Sequence, residues 1–101
     1  MSANLTHEEF SKNLHTKFHI RLSETEAIEA ELTKISEHLV SDRQERFAIV
    51  FRGPANAFLA QGMRRFEHDQ MGELDLFIVP ISQDDKGVYY EAVFNRLPQT
   101  D

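Results

Sequence analysis

The chain has 101 residues, 41% of them apolar, a formal net charge of -6 and no cysteine. That length suits one domain with one core, and the missing thiols exclude a disulfide scaffold, a thiolate metal site and a cysteine nucleophile. The acidic balance repels phosphate backbones, so nucleic acid is excluded as a partner; no apolar run nears the roughly 20 residues of a membrane span, and no signal segment is seen, so a cytoplasmic protein is expected.

Thr6 and Glu9 have capping-box spacing, with Leu5 and Phe10 at the staple positions. A short helix over about 7–14 follows, with Phe10 and Leu14 on one face. In "KFHIRL" (17–22), Phe18, Ile20 and Leu22 alternate with Lys17, His19 and Arg21, the period of a half-buried strand. The segment 23–40 supports two readings. Ser23 and Glu26 can cap a helix whose apolar stripe is Ile28, Leu32, Ile35 and Leu39. Ile28, Ala30 and Leu32 also alternate with glutamates as a strand does, and local propensity alone favours helix.

"FAIVF" (47–51) predicts a central strand, ended by Gly53 and Pro54. Residues 55–62 form a loop with Phe58 and Leu59 turned inward, and "MRRFEH" (63–68) is a short strand with a charged outer face. In "MGELDLFIVPI" (71–81) both faces are apolar from Phe77 onward, which predicts an internal strand with Phe77 in the core and Pro80 at a strand end or edge. "SQDDKG" is a turn, and "VYYEAVFN" (88–95) closes the domain with Val88, Tyr90, Ala92 and Phe94 on one face. Residues 1–97 read as a single globular domain and 98–101 as a frayed tail.

From Phe47 to Asn95 the order "FRGP", "QG", "FEH", "MGELDLFIVPI", "YEAVFN" resembles a family of small bacterial domains of unknown function, some of whose members lie beside phage tail-collar-like proteins. The resemblance implies a strand at Ala27–Ile35; within 36–46 this chain departs from the pattern in length, and an extra helical turn is expected there. It brings no catalytic residues. The expected fold is therefore mostly β: an antiparallel sandwich or partly open barrel of about six strands with one N-terminal α-helix. The alternative is α+β, with a second helix at about 24–39.

The residues that carry chemistry are sparse. The four glycines are isolated at turns, so no phosphate cradle is expected. The histidines at 7, 15, 19, 38 and 68 are scattered and none has HxH spacing, so neither metal nor cofactor is expected; His68, read as part of a solvated turn, is the one residue to name if a metal is forced. Ser41 and Ser82 lack a nucleophile context. Glu91, flanked by Tyr90 and Ala92, is the best candidate for a perturbed acid, against an exposed or arginine-paired reading. Arg52, Arg64 and Arg96 form a candidate contact patch, against a dispersed arrangement, and Tyr89 is a natural interface anchor if exposed. Phe58 and Leu59 either plug a barrel end or form an apolar patch, with plugging favoured.

Two functions compete. The first is a non-enzymatic protein-interaction or assembly module, which the resemblance places as an accessory of a phage-tail-like structure, with a protein partner or self-association. The second is a small-molecule binder or enzyme with its pocket at the open end of a barrel, near His68, Glu91 and Phe58.

Overall fold

Thr6 caps the first element: its hydroxyl accepts the Glu9 N–H at 3.1 Å and starts α1 (His7–Lys12). The computed structural model describes residues 5–97, so the tail expected to fray lies outside the described residues. The helix is shorter than the expected 7–14. Asn13 stops it by bonding its side-chain amide back to the Glu9 carbonyl at 2.8 Å.

Seven strands follow: β1 (Lys17–Arg21), β2 (Ala27–Ile35), β3 (Leu39–Val40), β4 (Glu45–Gly53), β5 (Gly62–His68), β6 (Gly72–Asp84) and β7 (Gly87–Arg96). All pair antiparallel, in the order β2-β1-β5-β6-β7-β4-β3, and a further β2–β4 pairing closes six of them into a barrel. The mostly-β expectation holds, and closure replaces the partly open form. The extra helical turn expected within 36–46 is instead the two-residue strand β3, laid on the start of β4.

The ambiguous segment is a strand because β2 has partners on both edges, β1 and β4. Its capping signal is used differently. The Ser23 hydroxyl accepts the Glu26 N–H at 3.1 Å and the Thr25 N–H at 3.2 Å, which tightens the β1–β2 turn.

Inward side chains of the six barrel strands, joined by Phe10, Leu59 and Met71, form one buried cluster. Phe18, Phe47, Phe51, Phe66, Ile49, Ile78 and Tyr90 are at most 1% exposed. Tyr90 is satisfied in the core: its hydroxyl accepts the Leu59 N–H at 2.9 Å. At the same end the barrel wall is tight. A Cβ on Gly87 would lie 2.1 Å from the Gly53 carbonyl oxygen, so only glycine fits there.

Three expectations need correction. Phe77 is half-exposed, because only the Leu74, Leu76 and Ile78 face of β6 meets the core and, among the described residues, no second layer covers the other. The strand does not stop near Ile81; it runs to Asp84, slipping register with β7 between Pro80 and Ser82. Pro80 does sit at an edge, since β5 pairing ends at Ile78. Of the loop pair, Leu59 turns inward while Phe58 is 65% exposed, so only Leu59 plugs the barrel end.

Candidate functional site

β-strand alternation sends every second residue outward, and on one stretch of wall the outward residues are apolar. Met63 of β5 pairs with Phe77 of β6. Continuing the Val79–Glu91 register by two residues sets Phe77 against Val93 of β7, and Val93 pairs with Ala48 of β4. This row crosses four strands, with Met63 62% exposed and Phe77 and Val93 each 50%. The Arg65–Asp75 ion pair, at 2.6 Å, borders it.

Beside the row lies a cleft of about 490 Å³ on the outer surface. Ala48 and Val50 form its floor. Thr33, Lys34 and Ser36 make one wall; Ile81, Ser82, Tyr89 and Glu91 make the other. The first wall exists because β2 bulges between Leu32 and Lys34, and the second because the β6–β7 hairpin extends past β5. The Tyr89 hydroxyl donates to Asp84 at 3.1 Å, which fixes the ring at the cleft side.

Glu91 therefore faces outward, half-buried, whereas His68 faces inward, so the wall separates the two residues considered for one pocket. His68 is not in a solvated turn; it is 9% exposed. Its Nδ1 accepts the Gln70 and Met71 N–H groups at 3.0 and 3.1 Å. Its Nε2 lies 2.8 Å from the Thr16 hydroxyl, which donates its own proton to the Asn13 carbonyl at 2.6 Å. The ring is thus a neutral Nε2–H tautomer. Burial pushes its pKa down, against a smaller upward pull from Asp69. That is a structural histidine.

The three arginines do not converge. Arg52 and Arg96 sit at opposite ends of the β4–β7 pair. Arg52 lies beside Tyr89 in register and bonds Glu31 at 3.1 Å. Arg64 donates to the Ala60 carbonyl at 3.0 Å, and its Nε is buried without a partner.

Arg96 belongs to a second cluster that the sequence did not suggest. Its Nε donates to Glu45 at 3.0 Å, and a guanidinium nitrogen donates to the Leu5 carbonyl. The guanidinium also lies 5.1 Å from the Phe94 ring centre. His38 reaches the other Glu45 oxygen at 2.7 Å and stacks on His7 at 4.7 Å. Burial raises the Glu45 pKa, but the bonds from Arg96 and His38 outweigh it and leave the carboxyl below its ordinary 4.5. His7 donates to the Ser36 carbonyl at 2.9 Å. The cluster clamps α1 to the barrel end, and both Glu45 oxygens are occupied in doing so.

Among the described residues, no three His, Cys, Asp or Glu side chains are grouped to hold a metal ion. No helix there is long and apolar enough to cross a membrane. The sequence reading missed Lys34 because the helical stripe obscured its strand register. It missed Glu45 and His38 because they meet only when β4 is paired.

No curated protein and no solved structure matches the chain. One family model does, "Domain of unknown function (DUF6916)", over residues 5–94, and the chain belongs to that family.

Proposed function

We propose that this domain is a non-enzymatic interaction module that docks a protein partner, or a second copy of itself, on the outer face of β5, β6, β7 and β4. The observation that carries this reading is the in-register apolar row of Met63, Phe77 and Val93, half-exposed while the core is already filled from the other face. Contiguous exposed apolar patches mark interaction surfaces. Phe58, also exposed, adds an apolar anchor on the loop between β4 and β5. The absence of cysteine fits work in the reducing cytoplasm. The resemblance of the Phe47–Asn95 motifs supports a role as an accessory of a phage-tail-like structure.

Phe77→Arg tests the reading. Wild type is expected to self-associate in light scattering or to retain a stable partner from its native host. The variant should do neither while melting normally. A wild-type protein that is strictly monomeric and captures nothing sinks the proposal.

A further inference from the structure

Lys34 and Glu91 stand on opposite walls of the outer cleft, and each pairs across its ladder with the same residue, Val50. The two are therefore one strand apart on either side, with backbones about 10 Å from each other. Neither takes part in an ion pair among the described residues. Other oppositely charged neighbours on this barrel do find one another, as Arg52 does with Glu31 and Arg65 with Asp75. Between Lys34 and Glu91 lies an apolar floor, Ala48 and Val50, with Ile81 beside it.

We propose that this cleft binds a short zwitterionic peptide, with its carboxylate at Lys34, its ammonium at Glu91 and an apolar middle over Val50. The charges choose the ligand class. An anion alone would meet the Glu91 carboxylate, and a cation alone would meet the Lys34 ammonium. A ligand carrying both at a fixed separation satisfies both walls. The spacing sets the length, because two or three extended residues span about 7–10 Å. The cleft volume, about 490 Å³, falls in the range of small-ligand sites, roughly 300–1,000 Å³. The Tyr89 hydroxyl is held by Asp84, leaving its ring as a wall. This inference does not rest on the proposed docking: Ala48 borders both surfaces, but Lys34 and Glu91 lie outside the row of Met63, Phe77 and Val93, and a peptide titration is read without any protein partner.

The test is an NMR titration of the full chain with the tripeptide Ala-Val-Ala, run with free ends, N-acetylated and C-amidated. The free peptide should shift the amides of Ala48, Val50 and Glu91. Each cap should weaken binding roughly fivefold, the upper end for an exposed charge contact. In Glu91→Gln the acetyl cap should make no further difference, and in Lys34→Met the amide cap should make none. Melting curves establish that each variant is folded. If one is not, the capped and free peptides on wild type still decide. No shifts at millimolar peptide, shifts centred elsewhere, or equal affinity for all three peptides would overturn the proposal.

Discussion

Leu76 and Phe77 are adjacent in β6, yet Leu76 is 3% exposed and Phe77 is 50% exposed. The inner face of the wall holds Leu74, Leu76 and Ile78 against Phe51, Phe66 and Tyr90 in one cluster. The outer face carries Phe77, Met63 and Val93, each half-exposed or more. Both faces are apolar, and the pleat alone decides which serves stability. Hydrophobicity measured along the chain cannot separate a core side from a docking side. Only the count of layers can.

The contrast is sharpest at the inner extreme. Phe51→Ala should cost about 3–5 kcal/mol in a denaturant titration, the range for a truncated core aromatic. A loss under about 1 kcal/mol would mean the inner face is not the packed one. Next comes the barrel end. Arg96→Met leaves the buried Glu45 with one partner instead of two. The expected loss is about 1–3 kcal/mol, for an acceptor left short of its donor.

The third effect reads the inner face through pH. The pKa of His68 is lowered in the folded state, so the unfolded chain binds the extra proton first. Stability is complete above the ordinary value near 6.5 and falls as pH drops from there towards the folded pKa. Glu45, also lowered, adds a second loss as pH falls below 4.5 and through its folded pKa. Melting temperature measured against pH should thus decline in two stages. If His68→Gln leaves the first stage intact, another group causes it. The smallest effect belongs outside: Phe77→Ala should shift stability by no more than about 0.5 kcal/mol, as surface changes do. A large loss would put Phe77 under a cover.

Much of this fold was legible in the chain. The alternation of Phe18 and Ile20, and of Val88, Tyr90 and Ala92, points to the residues that fill the interior. Ser23 was misleading locally, because a hydroxyl accepting the amide three residues on starts a helix and closes a turn equally well. Pairing on both edges of β2 decides between them, and that is a long-range fact. Phe77 misled for the reverse reason, since an apolar run says nothing about whether a second layer exists. The site was the least legible. Tyr89 and Glu91 stand out within one strand of the sequence, but their neighbours Lys34 and Val50 come from two others. His68 is plain in the sequence as a histidine, yet its role depends on Thr16, 52 residues away.

Ring closure also bears on how this chain reaches its native state. β1 meets β5, with Arg21 and Glu67 separated by 46 positions, and β4 meets β7, with Glu45 and Arg96 separated by 51. Such distant partners must find each other before their contacts offset the lost chain entropy, which places folding on the millisecond-to-second scale. Until these distant seams zip, a half-built sheet presents bare edges and its phenylalanines to neighbouring chains.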